Sequence, residues 1–473
     1  MKTHLFIAVT LFLLSFFVMT PQFFVIRFNL IDDGQDILVV QQDTFNETIM
    51  GTLHEGRFWP LRLIFRKAIY LTFGMFVPGH FIAMTLLLGF LLCIVAATLS
   101  AIRLTPWLSF FFCVIMLSLP GTYANFYRLG TVEPLQTALL MISLLALVRR
   151  SLVVSIGIWG ISLLAKETSV FYGFPLVVYF VSIRKYRHAV LTGSMSMLFI
   201  WLMVSVVLPK GGYSQNASFS LGGISHNLLF SIWNYWPIYI GIIGNLCIGV
   251  MLLLTNRMSI HSKEVYIFIL ILAFVVAGIF PFSIWSLWDM HYVLPVQTFL
   301  VILSAYSIFL VSKTYFLQYF FVIPALYFIS AIVFIPKSLE VARYWHQEYI
   351  YNGALVDYLL RELSGDIHVY SNIVDYEKNH KIFIYASNFL TRQTTFTPDM
   401  STWLHLSLGD SFGQNNMALG AMRKFEQDRG KRLLISGYRI PAYAHIYTFL
   451  PLCARSPFVR SDCRFFIYRD QSI

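Results

Sequence analysis

Ionisable side chains able to perform chemistry gather in a few polar stretches of an otherwise apolar chain. Within residues 1–335 the largest of these is 27–79, predicted to be the first outer loop with an interfacial helix, and an adjacent carboxylate pair, Asp32 and Asp33, comes first in it. A basic, aromatic run follows and contains Arg57, Trp59, Arg62, Arg66 and Lys67. Three later stretches, YRLGTVEP, AKETS and WDMHY, contribute Arg128, Glu133, Lys166, Glu167, Asp289 and His291.

Together these residue types suit the transfer of a sugar from a lipid phosphate. An acceptor hydroxyl needs a general base, which Asp32 or Asp33 can supply. The departing lipid phosphate gains negative charge in the transition state, so cations held in place stabilise it where water is scarce. The candidate phosphate-binding cations are Arg57, Arg62, Arg66, Arg128 and Lys166. Candidate supporting residues are Trp59, Glu133, Glu167, Asp289 and His291.

The charged residues of the first polar stretch also have a simpler interpretation. An adjacent Asp pair in a loop is often only solvated. Arg62, Arg66 and Lys67 can fix a helix to the membrane surface by contacting lipid headgroups instead of a bound phosphate. Both interpretations stay open from the sequence.

The later polar stretches have simpler interpretations too. Lys166 and Glu167 can form a structural ion pair, and His291 near a helix end can be an interfacial hydrogen-bonding residue. The cysteines and histidines show no metal-ligand spacing, so we expect no cofactor. A divalent ion held by Asp32 and Glu133 is compatible with the residues but is not indicated by any motif.

The composition excludes an ordinary soluble domain. The chain is 58% hydrophobic and only 12% charged, whereas charged residues make up about a quarter of soluble domains. Several apolar runs approach the roughly 20 residues needed to span a bilayer. The net charge of +11 comes mostly from cations at the ends of apolar segments, where they set membrane orientation. We therefore predict a polytopic membrane protein whose partner is the lipid bilayer, with no nucleic acid.

Residues 1–335 are predicted to form the transmembrane domain, with about eleven helices. The first apolar run has no A-x-A-like cleavage site, so we expect an uncleaved transmembrane helix. Residues 58–76 predict an interfacial helix that begins near Pro60 and ends near Pro78. The predicted spans cover about 5–25, 80–100, 107–122, 132–148, 151–166, 168–183, 189–208, 233–255, 265–284, 292–312 and 317–335. A Gly- and Ser-rich segment, 210–227, is predicted to be a flexible outer loop.

The charges predict an orientation. An odd number of spans places the two termini on opposite sides of the membrane, and we expect the N-terminus in the cytoplasm. The cytoplasmic connections then carry Arg103, Arg149, Arg150, Arg184, Lys185, Arg187, Arg257, Lys263 and Lys313, as the positive-inside rule requires. Of the ten acidic residues before position 336, only Glu264 falls on that side.

Residues 336–473 are predicted to form a small α/β or α+β domain on the outer face. The runs DIHVYSNIV, KIFIYAS, RLLISGY and CRFFIYRD predict strands, and residues 352–363 and 416–428 predict helices. Cys453 and Cys463 fall in this part, separated by nine residues. They are a candidate disulfide if the domain faces an oxidising compartment.

The order of these features resembles the integral-membrane glycosyltransferases of the GT-C class, which use polyprenyl-phosphate sugars as donors. The matching motifs are IDDGQ, GRFWPL, YRLGTVEP, LAKETS and HYVLP, within about the first 300 residues. The resemblance implies that the catalytic acid is Asp32 or Asp33. It also implies a single inverting displacement at the anomeric carbon, with no covalent intermediate.

The layout is most similar to serotype-converting O-antigen glucosyltransferases. This resemblance implies a multi-pass protein of the bacterial inner membrane with a periplasmic C-terminal domain. It implies hexosyl transfer, with glucose moving from undecaprenyl phosphate to the O-antigen of lipopolysaccharide or another envelope glycan. Lipid A aminoarabinose transferases and protein O-mannosyltransferases share an acidic residue in the first outer loop, which corresponds to residues 27–79 here, and are the alternatives within the class.

Two other classes of membrane protein compete with an enzyme. A transporter or lipid-linked sugar flippase predicts ionisable residues near mid-membrane, and many transporters carry inverted repeats. Here nearly all acids cluster near one surface, and no repeat is evident. A structural or immunity membrane protein would not need a carboxylate at Asp32 or Asp33.

Overall fold

The structure is a computed structural model. It describes residues 2–29, 33, 37, 40, 57–207, 220–255, 262–284, 290–314, 322–362, 368–371, 432–436, 448–456 and 459–469. Asp32, Asp289, the KIFIYAS segment and residues 416–428 lie outside these ranges.

The described chain is mainly helical up to residue 362. Its first helices are α1 (Lys2–Met19), α2 (Pro60–Phe73), α3 (Val77–Ala101), α4 (Pro106–Leu117), α5 (Pro120–Phe126), α6 (Glu133–Val148) and α7 (Leu152–Leu163). The later helices are α8 (Gly173–Ser182), α9 (Tyr186–Leu202), α10 (Leu221–Asn234), α11 (Trp236–Leu254), α12 (Lys263–Ile284), α13 (Leu294–Thr314) and α14 (Val322–Glu362). Short 3₁₀ helices cover Thr20–Phe24, Glu167–Tyr172 and Met290–Val293.

Six helical segments of the described residues are long and apolar enough to cross a membrane. They are Lys2–Phe24, Val77–Ala101, Tyr186–Val207, Trp236–Leu254, Lys263–Ile284 and Met290–Lys313. The number rises to seven if the bent pair α4 and α5 is one span. The chain is therefore a multi-pass membrane protein, while the larger number of about eleven spans stays a prediction. Helices α6 and α7 occupy two of the predicted positions but are shorter, at 16 and 12 residues.

The bend between α4 and α5 follows from proline. The sequence predicts one continuous span over 107–122, but the two helices meet at an angle of 67°. Pro120 has no N–H and disfavours helical geometry in the preceding residue, and Leu119 is extended with φ −84° and ψ 141°. The polar stretch that begins at Tyr127 consequently follows a separate short helix, α5.

Two predicted helix boundaries are corrected by local chemistry. Helix α2 ends at Phe73 and is followed by Gly74 at φ +55°, a conformation that favours glycine. Pro78 therefore lies in the first turn of α3 instead of ending α2. The segment predicted as a flexible loop becomes helical at Leu221, because the Ser220 side chain caps the helix by accepting a hydrogen bond from Gly223 N at 3.1 Å.

Three helices end in the same unusual way. The residue after the C-terminal turn of α3, α6 and α8 is Arg103, Arg150 and Arg184, with φ of +76°, +65° and +58°. The amide of the following residue donates to a carbonyl oxygen five positions earlier in the helix, as in Ser151 N to Ala146 O at 2.8 Å, which is the hydrogen bond of a Schellman motif. An arginine replaces the usual glycine, and its charge lies at the negative end of the helix dipole.

The described chain divides into two compact units. The first comprises Met1–Met19, Asp43–Ile69 and Phe81–Ala342, and the second comprises Thr20–Gln42, Tyr70–His80 and Arg343–Ile473. The predicted domain boundary after residue 335 stays a prediction, since α14 runs without a break through Pro336.

Small and polar side chains join helices inside the first unit. Ser143 on α6 donates to the Ser155 carbonyl of α7 at 2.8 Å, which lets the two helices approach closely. Asn245 on α11 donates to Ser304 on α13 at 3.1 Å and accepts from Ser307 at 2.6 Å. These hydrogen bonds fix the helices in a medium where apolar surfaces do not discriminate between partners.

The second unit contains a four-stranded sheet of order β1-β2-β4-β3. Its strands are β1 (His368–Ser371), β2 (Arg432–Ser436), β3 (Thr448–Ser456) and β4 (Val459–Arg469). Strand β1 is parallel to β2, whereas β4 is antiparallel to β2 and β3. The segments DIHVYSNIV, RLLISGY and CRFFIYRD thus contain strands as predicted.

The sheet register places Cys453 of β3 opposite Cys463 of β4. Directly opposed residues of antiparallel strands have Cα atoms about 4.5–5.5 Å apart, within the range of disulfides.

We predict that these two cysteines are oxidised when the protein is made in its natural membrane orientation. In denatured, unreduced protein, maleimide should label Cys93, Cys113 and Cys247, and reduction should add two further labels. Labelling of all five without reduction would contradict the pairing, and C453S should expose Cys463 to the reagent as a control.

Candidate active site

Helix α2 carries two buried arginines. Arg62 and Arg66, one helical turn apart, are only 8% and 3% exposed. Arg62 Nη2 donates to the carbonyl oxygen of Gly130 at 2.8 Å. Their interpretation as headgroup-binding residues is therefore wrong, because the face of α2 that holds them is buried against protein.

Trp59 contacts two cations at the start of α2, Arg57 just before the helix and Arg62 in its first turn. The guanidinium carbons of Arg57 and Arg62 lie 4.2 and 4.6 Å from its ring centroid, in cation–π contacts. The indole N–H donates to Glu167 Oε2. Arg57 Nη1 reaches the other oxygen, Glu167 Oε1, at 3.1 Å. One carboxylate thus fixes the tryptophan and an arginine together.

The second carboxylate of the site, Glu133, is the first residue of α6. It forms a buried ion pair with Lys166, and the two side chains are 2% and 5% exposed. Glu133 Oε2 also accepts from the Val132 amide at 3.0 Å. The Lys166 ammonium lies 4.2 Å from the centroid of the Tyr292 ring. The alternative pairing of Lys166 with Glu167 is not formed, because Lys166 is extended and directs its side chain away from that of the next residue.

His291 joins Arg128 to this ion pair. Arg128 Nη1 lies 3.4 Å from His291 Nδ1. An arginine can only donate, so Nδ1 accepts and Nε2 carries the proton. Nε2 lies 3.9 Å from Glu133 Oε1. The His291 carbonyl in turn accepts from Asn125 Nδ2 at 2.8 Å, which fixes the 3₁₀ helix Met290–Val293 against α5.

Three uncharged residues support the site and were not identified from the sequence: Asn125, Gln136 and Tyr292. Gln136 Nε2 donates to Thr168 Oγ1 at 2.9 Å and to Ser169 Oγ at 3.0 Å, which ties α6 to the 3₁₀ helix Glu167–Tyr172. Two of them could have been identified by their proximity to predicted site residues, since Tyr292 follows His291 and Gln136 lies one helical turn after Glu133. The structure thus brings Arg57, Trp59, Arg62, Arg128, Glu133, Lys166, Glu167 and His291 into one cluster, with Arg66 on the same helix face as Arg62.

Asp33 belongs to the second unit, where it is 1% exposed. The hydroxyl of Tyr349 on α14 donates to Asp33 Oδ2. Nearby polar contacts join Asn352 Nδ2 to Asn29 Oδ1 at 2.7 Å and to Glu348 Oε2 at 3.4 Å. Burial of a carboxylate beside hydrogen-bonding groups is not the environment of a merely solvated loop residue.

The described residues contain no group of three His, Cys, Asp or Glu side chains arranged to hold a metal ion. Asp32, one of the two residues considered for a divalent ion, lies outside the described ranges. The expectation of no cofactor stays a prediction.

No protein-family model matches the sequence, and no curated protein matches it. Among solved structures the chain is similar to the crystal structure of ArnT from Cupriavidus metallidurans bound to undecaprenyl phosphate. The TM-score is 0.50 at 14% identity, over 98% of this chain and 97% of the other. ArnT in the apo state gives a TM-score of 0.46 at 13% identity with the same coverage. The similarity to the first structure confirms the GT-C-like fold expected from the sequence.

The buried pair makes a prediction about stability. Glu133→Gln leaves the Lys166 ammonium buried without its counter-ion, so we expect the free energy of unfolding to fall by about 3–5 kcal/mol. Denaturant unfolding of the purified protein in detergent measures the change. The matched control is Glu264→Gln, which breaks the more exposed Lys313–Glu264 pair of 2.9 Å and should change stability by less than about 1 kcal/mol. Equal effects of the two variants would contradict the importance of burial.

A histidine of the second unit predicts a pH dependence. His346 lies beyond the predicted transmembrane spans, and its Nδ1 is 3.2 Å from Gln22 Oε1. Burial lowers the pKa of His346 from its ordinary 6.5 to about 4. Between these values the unfolded state binds more protons than the folded state, so stability falls as pH decreases from 6.5 towards 4.

Thermal unfolding between pH 7 and pH 4.5 tests this dependence. His346→Gln should flatten the decrease in Tm, whereas the control His226→Gln, at an exposed histidine, should retain it. An unchanged pH slope in His346→Gln would show that this histidine is not responsible.

Proposed function

We propose that this protein is a GT-C membrane glycosyltransferase that takes a sugar from a polyprenyl phosphate. The observation that carries the proposal is the buried cluster of Arg57, Arg62, Arg128 and Lys166 around Trp59, Glu133 and Glu167. Burying a charge costs free energy that only pairing and hydrogen bonding offset, so a cluster of buried cations points to a structural or functional role. A cluster that interlocks cations with two carboxylates and an aromatic ring is a preorganised environment for a phosphate group.

The proposed role of the cations is to stabilise the leaving group. As the bond between the anomeric carbon and the phosphate oxygen breaks, negative charge accumulates on the lipid phosphate. Cations already fixed by Trp59 and Glu167 need little reorganisation at that moment, and they act strongly where water is excluded. His291, with its Nε2 proton, is proposed to support the position of Glu133 and thereby of Lys166.

The proposed base is a carboxylate of the first outer loop, Asp33 or its neighbour Asp32. It takes the proton of the acceptor hydroxyl while that oxygen forms a bond to the anomeric carbon. The phosphate departs with the bonding electrons, so the configuration at the anomeric carbon inverts. Burial and the hydrogen bond from Tyr349 support Asp33, since both restrict the orientation of its carboxylate.

The identity of the sugar and its acceptor is a finer part of the proposal. Glucose transfer to O-antigen follows from the layout of the sequence. Aminoarabinose transfer to lipid A fits equally well, because the chain is similar in fold to an ArnT structure that contains undecaprenyl phosphate. Protein O-mannosyl transfer remains an alternative of the same class. In each case we propose about eleven spans in the bacterial inner membrane, a periplasmic C-terminal domain and no cofactor.

Sugar transfer by membranes that contain matched amounts of wild type, Asp32→Asn and Asp33→Asn tests the function. The donors are undecaprenyl-phosphate glucose and undecaprenyl-phosphate aminoarabinose, and the acceptor is lipopolysaccharide. We expect one donor to be consumed with inversion, and Asp33→Asn to lower the rate about 10²–10⁴-fold through loss of the base. Glu264→Gln, on the opposite predicted face, should retain the wild-type rate.

The assay separates the candidate functions. Consumption of neither donor, or wild-type rates in both Asn variants, would contradict the proposal and favour a transporter or flippase. Strong loss in Asp32→Asn alone would move the base to the neighbouring residue.

A further inference from the structure

A cavity of about 540 Å³ lies in the first unit, away from the charged cluster. Arg149, which lines it, directly follows α6, whose first residue is Glu133. Sixteen residues of α-helix extend about 24 Å, so the cavity is at the other end of this helix. Helix α1 agrees: His4 lines the cavity, whereas Tyr127 donates to the Val18 carbonyl near the far end of α1.

The cavity lies where α1 faces a surface of small side chains on α3, and the two helices meet at one edge of it, where Cys93 Sγ donates to the Ala8 carbonyl at 4.0 Å. Cys93, Ala96, Ala97, Ser100 and Ala101 line it from α3, at spacings that place them on one helix face. Small residues in membrane helices normally allow close packing. Between α1 and α3 they leave space instead.

Aromatic contacts of α1 flank the cavity on both sides. A ring carbon of Phe12 lies 2.5 Å from where a Cβ of Gly89 would be, so α1 already touches α3 beyond the cavity. Towards the other end of α1, the Phe6 ring packs on Trp107 of α4 with centroids 6.2 Å apart. The cavity between these two contacts has the volume of a typical small-ligand site.

The mouth of the cavity is cationic and its walls are apolar. Ile7, Ala8 and Leu11 line it from α1, and Ser109 adds a buried hydroxyl from α4. Arg149 is exposed at the rim beside His4, and the left-handed Arg103 and Arg150 end the neighbouring helices α3 and α6. An amphiphile with an anionic head and an aliphatic chain matches this distribution of charge.

We propose that the cavity binds an anionic glycerophospholipid, with an acyl chain between α1 and α3 and its phosphate at Arg149 and His4. In the predicted orientation the lipid comes from the cytoplasmic leaflet, where anionic lipids are enriched. A polyprenyl phosphate shares the head-group chemistry. The cavity lies at the opposite end of α6 from the cluster proposed for the donor phosphate, which favours the glycerophospholipid.

Native mass spectrometry of the delipidated full-length protein tests the site. Titration compares phosphatidylglycerol with phosphatidylcholine of identical chains. The wild type should bind one phosphatidylglycerol at least tenfold more tightly than phosphatidylcholine. Ala97→Phe should fill the cavity and abolish this binding, and Arg149→Gln should remove the preference for the anionic lipid. Two controls, Arg184→Gly on another helix end and Val153→Phe on an exposed helix surface, should bind as the wild type does.

Equal affinity for the two lipids, or unchanged phosphatidylglycerol binding in Ala97→Phe, would overturn the proposal. Displacement of phosphatidylglycerol by a lower concentration of undecaprenyl phosphate would overturn the choice of lipid. Ser100→Leu provides a second cavity-filling variant if Ala97→Phe is not folded. Because the readout is lipid binding, the outcome does not depend on the proposed transferase activity.

Discussion

The buried ion pair between Glu133 and Lys166 is the interaction on which the charged cluster depends. Neither charge is tolerable in that environment without the other, because the desolvation of each must be offset by its partner. The pair holds the start of α6 against the residue that precedes the 3₁₀ helix Glu167–Tyr172. That helix begins with Glu167, which orients Arg57 and Trp59. The ion pair of Lys166 therefore also helps to fix Arg57 and Trp59, which lie more than a hundred residues earlier in the sequence.

Much of the helical architecture could be predicted from the sequence, because apolar length and charge asymmetry are strong local signals. Predictions failed where a single residue overrode the pattern. Pro120 divides an apolar run into two helices, and Ser220 starts a helix inside a Gly-rich segment. Arg62 and Arg66 were compatible with headgroup contact as well as with phosphate binding, yet both side chains are buried. Periodicity shows that a helix has two faces but does not show what covers the polar one.

The site was predictable as a set of motifs but not as a set of contacts. YRLGTVEP, AKETS and HYVLP do converge, since each lies at the end of an apolar segment on one predicted side. Their pairing could not be predicted, because an extended Lys166 turns away from adjacent Glu167 and towards Glu133. The contact of Tyr349 with Asp33 joins residues 316 positions apart, and no local pattern reports such a distance.

The two ends of helix α6 follow one electrostatic principle, the favourable placement of charges in the field of the helix dipole. Its first residue, Glu133, places an acid at the positive end of the helix dipole, while Arg149 and Arg150 place cations at the negative end. The acid is buried and paired, whereas both arginines are exposed. The same arrangement recurs where Arg103 and Arg184 end α3 and α8. Charges that stabilise individual helices therefore also make the two ends of α6 different, with a buried, paired acid at one end and exposed arginines at the other.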